Sequence, residues 1–306
     1  MRIGLTIPFD GFPLRELPEL VRRAEAAGYD SVWSAEATGF DGFTPLAIAA
    51  LHSERMRLVT GIVSVFTRGR ALLAQTAAAL ADLSGGRFVL GLGASSNVIV
   101  DRWNGLPFER PLARVHSTVE YLRRALAGER VDGGFRLSSP PAEPVPIVLA
   151  ALRERMLHLA AETADGAFSN FLPLSGVRQV VETFGRGDKE LACRFFSVAG
   201  PEDAALATAR RAFVGYATVP VYTEFFRWLG WGDEIDPMVA AWNGGDRKRA
   251  LDLAPERLVR EIFLLGPYEA QRERLAEFAD AGITTAVLAV LGPPAELAAA
   301  VDAFAP

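Results

Sequence analysis

Eight times along the chain, a short apolar run of strand-forming residues is followed by a stretch whose apolar residues recur at helical spacing, and few folds accommodate that rhythm. The runs are "RIGLTIPF", "SVWSAE", "RLVTGIVSV", "RFVLGLGAS", "VPIVLAAL", "AFSNF", "LACRFFSVAG" and "ITTAVLAVL". Most lack a polar alternation, so both faces must be buried, as in a parallel sheet covered by helices. In the first intervening segment, "LRELPELVRRAEAAGYD", residues Leu14, Leu17, Leu20, Val21 and Ala24 share one helical face, and Gly28 stands where a left-handed cap ends a helix. Eight regularly spaced units predict a closed (β/α)8 TIM barrel, with residues 1–306 as a single domain. An open doubly wound sheet is the competitor. No G-x-G-x-x-G joins the first strand to the first helix, and "GLGASS" on the fourth strand has only two of those glycines.

Two stretches break the rhythm. Residues 128–146, rich in Gly, Ser and Pro, are expected to form an excursion after the fourth helix. Residues 218–256, between the seventh and eighth strands, read as a helical insertion whose Trp228, Trp231 and Trp242 are expected chiefly to pack it onto the barrel or onto a second subunit. The region between the sixth and seventh strands reads as truncated.

Composition narrows the function. One cysteine, Cys193, allows no internal disulfide, and three scattered histidines, His52, His116 and His158, show no metal-ligand spacing, so no metal is expected. A net charge of −5 without a basic tract speaks against nucleic acid. No run reaches the roughly 18 apolar residues of a membrane helix, and the start "MRIGLTIPFDGF" lacks a signal peptide's apolar segment, so a cytoplasmic protein is expected. The partner left is a small molecule.

Catalytic groups of such barrels stand at the carboxyl ends of the strands. Those ends offer Phe9 and Asp10; Glu36; Ser64, Val65 and Phe66; Ser95, Ser96 and Asn97; Ala150 to Arg153; and Ser169 and Asn170. Small or neutral groups dominate, a mouth suited to a large planar cofactor rather than to hydrolysis. In "LADLSGGRFVLGLGASSN", Gly85 and Gly86 are expected to stop the third helix, while Gly91 and Gly93 remove side chains where a ring system would approach. The alternative for Gly91 and Gly93 is relief of crowding between strand and helix.

The segments "DSVWSAEATGFDGFTPLAIAALHSERMRLVTGIV", "AALADLSGGRFVLGLG", "PLARVHSTVEYLRRALAG" and "VPIVLAALRERMLHLAAETADGA", with "LLGPYEAQRERLAEFADAGITTAVLAV" near the carboxyl end, resemble the luciferase-like monooxygenase superfamily, most closely its branch using the deazaflavin coenzyme F420. The resemblance implies a cytoplasmic, homodimeric oxidoreductase that moves a hydride between F420 and an organic substrate. It also implies cofactor contacts at Gly61, Ile62, Ser64, Gly91, Gly93, Ser95, Ser96, Asn97, Ala150 and Arg153, with a non-proline cis peptide at Gly61–Ile62. The substrate is expected against Phe9, Asp10, Phe66, Asn170 and Trp228, and Glu36 is the one catalytic candidate, against a plain role in a strand-end hydrogen-bond network. The signature does not separate F420 from FMN. A two-component FMN monooxygenase fed by a separate reductase therefore stays open, as does a cofactor-free barrel subunit.

The chain departs from that pattern at three places. Glu36-Ala37 stands where alcohol- and sugar-oxidising relatives carry Asp-His, and Ser96 stands where they carry an acid. Removing a proton from an alcohol needs a base within reach, so that chemistry is disfavoured. Arg153 replaces a glycine whose turn receives the cofactor phosphate; it either supplies a charged fork to that anion, with Arg155, Arg68 and Arg70 as further donors, or lies across the groove and shuts the cofactor out.

Overall fold

The strands β1 (Arg2–Thr6), β2 (Ser31–Ser34), β3 (Arg57–Thr60), β4 (Phe88–Gly93), β5 (Ile147–Ala150), β6 (Gly166–Asn170), β7 (Glu190–Val198) and β8 (Thr285–Val290) pair in parallel in that order. Closure comes from β8, which lies in register with β1 (Thr285 against Arg2) and with β7 (Thr285 against Ala192). The computed structural model describes residues 1–9, 11–185, 187–292 and 294–306. The expected (β/α)8 barrel is therefore present.

Helices α1 (Leu17–Ala26), α2 (Thr44–His52), α3 (Arg70–Leu83), α4 (Pro111–Leu126), α5 (Glu154–Thr163) and α6 (Val177–Phe184) cover the first strands. The presence of α6 corrects the reading of a truncated region between the sixth and seventh strands. Its Val177, Val180 and Phe184 are buried at helical spacing, so the short unit is complete. Gly85 and Gly86 end α3 as expected, both left-handed (φ 61° and 83°), returning their amides to the carbonyls of Asp82 and Ala81.

After β7 come α7 (Glu202–Ala217), α8 (Pro220–Trp228), α9 (Gly232–Asn243), α10 (Arg247–Asp252), α11 (Glu256–Ile262) and α12 (Tyr268–Asp280), and α13 (Pro294–Ala303) follows β8. The expected helical insertion is α8 to α10. Two of its tryptophans pack within it, Trp228 on Phe225 and Trp242 under Arg247 at 3.7 Å, while Trp231 lies under Arg257 of α11. The excursion 128–146 holds one tight turn, in which the Gly134 amide returns to the Val131 carbonyl, and is pinned by buried Val131, Leu137 and Val145.

Inside the barrel a separate apolar cluster forms from Trp33, Val59, Val89, Val148, Phe168, Ala192 and Val287, one from nearly every strand. Trp33 fits because Gly4 on the neighbouring strand has no side chain; a Cβ there would lie 2.8 Å from the indole nitrogen. The amino-terminal end of the barrel is closed by charge. Glu190 accepts from both terminal nitrogens of Arg57 (2.8 and 3.1 Å), from Arg2 (3.0 Å) and from the Thr285 hydroxyl. Burial pushes the Glu190 carboxyl up, but the Arg57 and Thr285 hydrogen bonds and the two guanidinium charges outweigh it, and the group titrates below its ordinary value.

Candidate active site

At the opposite end of the barrel the β3–β4 ladder slips by one residue. Val59 pairs with Val89, whereas Val63 pairs with Leu92, so one extra residue is accommodated on the β3 side. The run read as one strand, "RLVTGIVSV", is thus broken, and the Gly61–Ile62 peptide in the bulge is cis, as the resemblance implied. Thr60 replaces the lost ladder bonds with its hydroxyl, accepting from the Gly91 amide (2.7 Å) and donating to the Gly91 carbonyl (2.8 Å). A Cβ on Gly91 would lie 1.7 Å from the Thr60 carbonyl oxygen, and one on Gly93 2.9 Å from Ile62 and Ala150. This corrects the expectation for Gly91: the space it leaves is filled by the bulging backbone of β3, not held open for a ring. Gly93 makes room for Ile62, which leans on the inner apolar cluster.

At the mouth two members of that cluster form an aromatic floor, beside a half-buried cation. Trp33 and Phe168 lie 4.7 Å apart, tilted by 32°. Ala192 belongs to the inner cluster, so strand alternation turns Arg194 inward two residues further on. Its guanidinium carbon sits 5.3 Å from the Phe168 ring centroid. From there Nη2 reaches across the barrel to donate to the Gly61 carbonyl at 2.6 Å. Burial depresses the Arg194 pKa, which the Tyr216 and Tyr222 phenols and the Cys193 thiol oppose. Among the described residues no carboxylate pairs with it, and its Nε is buried without a partner. Asn170, beside it on β6, donates to the Tyr222 hydroxyl of α8 (2.9 Å) and leaves its own Oδ1 buried and unpartnered; Thr6 Oγ1 on β1 is unpartnered as well. Buried polar atoms left without partners are uncommon and mark places where a ligand or water completes the bonding.

Most sequence-predicted residues have other occupations. Glu36 accepts from Arg68 (2.5 Å) and from the Gly42 amide (3.2 Å), which places it in the strand-end network that was the alternative to catalysis. Asp41 lies 3.7 Å from the same Arg68; burial raises its pKa, but hydrogen bonds from Thr44 and Phe43 outweigh that and hold it below the ordinary range. The Ser64 hydroxyl accepts from the Phe66 amide, and Phe66 packs on Phe108. Phe9 is buried against Phe12, and Trp228 belongs to the insertion's own packing. Asp10 lies outside the described residues. Gly61, Ile62, Gly93, Ala150 and Asn170 do come together at the mouth.

Ser95 is held at φ 63° just past β4, and Ser96 caps the following turn through its carbonyl and hydroxyl, leaving Asn97 at the rim. There a cleft of about 570 Å³ opens, lined among others by Asn97, Arg102, Glu224, Arg227, Trp242 and Arg247. Arg153 does not lie across the barrel. It begins α5, is 42% exposed in its side chain, and points toward Glu224 at 3.9 Å. A second hollow of about 520 Å³, lined by Arg110, His116, Arg155 and Glu162, lies between α4 and α5. Among the described residues no group of three or more His, Cys, Asp or Glu is placed to hold a metal ion, and no helix is long and apolar enough to cross a membrane.

Sequence reasoning missed Trp33, Phe168 and Arg194. The signal for Arg194 was present: one long cation inside the otherwise apolar "LACRFFSV".

Comparison with known proteins supplies the wider setting. The family described as luciferase-like monooxygenase matches residues 1–285. A Mycobacterium tuberculosis protein named as a putative coenzyme F420-dependent oxidoreductase is 27% identical over 94% of this chain and 94% of its own length. The coenzyme F420-dependent tetrahydromethanopterin reductase of Methanopyrus kandleri superposes with a TM-score of 0.78 at 20% identity, covering 99% of this chain and 97% of that one. The oxygenating constituent of 3,6-diketocamphane monooxygenase from Pseudomonas putida, in complex with FMN, superposes at 0.68 with 17% identity, covering 100% and 96%. At these identities the two structures speak for a shared fold.

Proposed function

The chain belongs to the luciferase-like monooxygenase family, and from that premise we propose that it is an oxidoreductase transferring a hydride between coenzyme F420 and a small organic substrate at the carboxyl-terminal mouth of its barrel. The observation that carries this reading is the mouth itself, where the β3 bulge and an aromatic floor stand beside buried polar atoms without partners. When bound, the deazaflavin supplies the hydride chemistry. The protein's part is to position, to desolvate and to balance charge.

In this reading Gly61, Ile62, Gly93 and Ala150 form the wall for a flat ring, and Asn170 offers its free carbonyl oxygen to it. Ser95, Ser96, Asn97 and Arg153, joined by Arg102, Arg227 and Arg247 along the rim cleft, receive the anionic tail of the cofactor. Glu36 positions Arg68 instead of handling a proton. With that carboxylate engaged, the described residues of the mouth are poor in bases, which favours reduction of a conjugated ketone, imine or similar electrophile over alcohol oxidation. The name of the Mycobacterium tuberculosis relative favours F420 as the cofactor. Titration of the purified chain with F420 and with FMN, followed by absorbance and fluorescence, tests the choice. We expect saturable F420 binding; tight FMN binding with none of F420 would transfer the reading to an FMN monooxygenase served by a separate reductase.

A further inference from the structure

Arginines other than Arg194 that reach among the strands and their flanking turns are well partnered. Arg87 donates five hydrogen bonds of 2.8 to 3.2 Å to Ser84, Ser53, Met56 and Ala50. Arg57 forks onto Glu190. Arg194 differs: one bond to the Gly61 carbonyl, a face on Phe168, a buried Nε with no acceptor, and no counter-ion among the described residues. Removing a cation from water without a partner is costly, and an apolar side chain of similar length would fill the same space without that cost. The described neighbours do not supply the missing charge. Asn170 and Tyr222 bond each other, Cys193 is a buried thiol, and Val287 faces Arg194 from β8.

We infer that Arg194 is the anion receptor of the mouth and selects a substrate bearing a planar carboxylate, held by the free side of its guanidinium fork above the Trp33–Phe168 floor. The geometry suits that class. A guanidinium presents parallel N–H donors that match the two oxygens of a carboxylate, and the aromatic pair beneath accepts a flat conjugated body. Arg194 is half-buried, so part of its side chain stays in contact with solvent. Its bond to the Gly61 carbonyl fixes the fork in place beforehand, so less side-chain freedom is lost on binding.

This inference rests on the reading of the mouth as the reaction site, and its test separates the two. The full-length protein without cofactor is titrated with benzoate, acetate and formate, read by calorimetry and thermal shift, alongside Arg194→Met and Arg194→Lys. In parallel, all three proteins are titrated with F420. Benzoate is expected to bind the wild type best. Arg194→Met should weaken it at least about tenfold, equivalent to about 1.4 kcal/mol, and Arg194→Lys by less, while F420 affinity changes by less than about threefold. Arg194→Met should melt at or above the wild-type temperature. The proposal fails if no carboxylate binds the wild type, if Arg194→Met binds benzoate as well as the wild type, or if Arg194→Met loses F420 binding and benzoate binding together. Absence of F420 binding by the wild type with the benzoate pattern intact would instead overturn the cofactor reading and leave the receptor standing.

Discussion

Replacing Gly91 by alanine tests the structural account of the barrel mouth most directly. The added Cβ would lie 1.7 Å from the Thr60 carbonyl oxygen, whereas contacts under 3.0 Å are essentially never seen for real Cβ atoms, so β3 and β4 would have to part by about 1.3 Å. The obstacle is backbone, and no rotamer can relieve it. Parting also stretches the two Thr60 hydroxyl bonds to Gly91, now 2.7 and 2.8 Å, in a buried setting where each lost bond costs about 1 kcal/mol or more. Overpacking adds about 1 to 3 kcal/mol, and the gain from stiffening the unfolded chain returns at most about 1 kcal/mol. A net loss of about 2 to 4 kcal/mol follows, which for a chain of this size lowers the melting temperature by roughly 4 °C or more. Gly93→Ala is the internal control. Its Cβ meets Ile62 Cδ1 and the Ala150 Cβ at 2.9 Å; the end of Ile62 can turn away and the Ala150 contact needs to give by only about 0.1 Å, so about 1 kcal/mol is expected. Urea unfolding monitored by tryptophan fluorescence measures both. If Gly91→Ala unfolds within about 0.5 kcal/mol of the wild type, or is milder than Gly93→Ala, the bulge is not packed as described.

At the other end of the barrel, Glu190→Gln leaves Arg57 and Arg2 facing an uncharged amide, and about 3 kcal/mol should be lost at pH 7, the low end for a broken buried pair because Arg57 and Arg2 keep some water. Because folding lowers the Glu190 pKa, its contribution is complete above the ordinary glutamate value of 4.5 and is lost as pH falls through the lowered folded value. The wild type should therefore lose stability on acidification more steeply than Glu190→Gln; parallel curves between pH 6 and 3 would contradict this. Burial pushes the Cys193 thiol up to about 12, leaving a thiolate fraction of roughly one in ten thousand at pH 8, so a thiol reagent should label the native protein only over hours and the urea-unfolded chain within minutes. Equal rates would show that β7 opens freely. Finally, Glu36→Gln should weaken the hold on Arg68 and destabilise the protein by about 1 kcal/mol while leaving any hydride transfer within about threefold; a loss of activity beyond about a hundredfold would return Glu36 to catalysis.

How much of the site could be read beforehand depended on side-chain direction. Gly85 and Gly86 were legible because a left-handed helix stop is a local event, and their φ angles and returned hydrogen bonds lie within six residues of chain. Gly91 and Glu36 were not, because what each touches, the Thr60 carbonyl and Arg68, comes from a stretch about thirty residues away that sequence order does not bring near. The sequence offers Arg153 as a plug across the barrel, yet the arginine that crosses the barrel is Arg194, forty-one residues later.

The sequence by itself determined the closed barrel and the place of the helical insertion, since these rest on the alternation of two-sided apolar runs with amphipathic segments, and it carried the family resemblance in particular quoted segments such as "LADLSGGRFVLGLG". Only the tertiary structure decided which residues face inward. Strands buried on both faces carry no polar period to tell one face from the other, and the one-residue slip at Gly61–Ile62 shifts the register where the mouth is built. An arginine on such a strand becomes a core-spanning cation or a surface charge according to strand pairing, and here the pairing with β6 and β8 turned it inward.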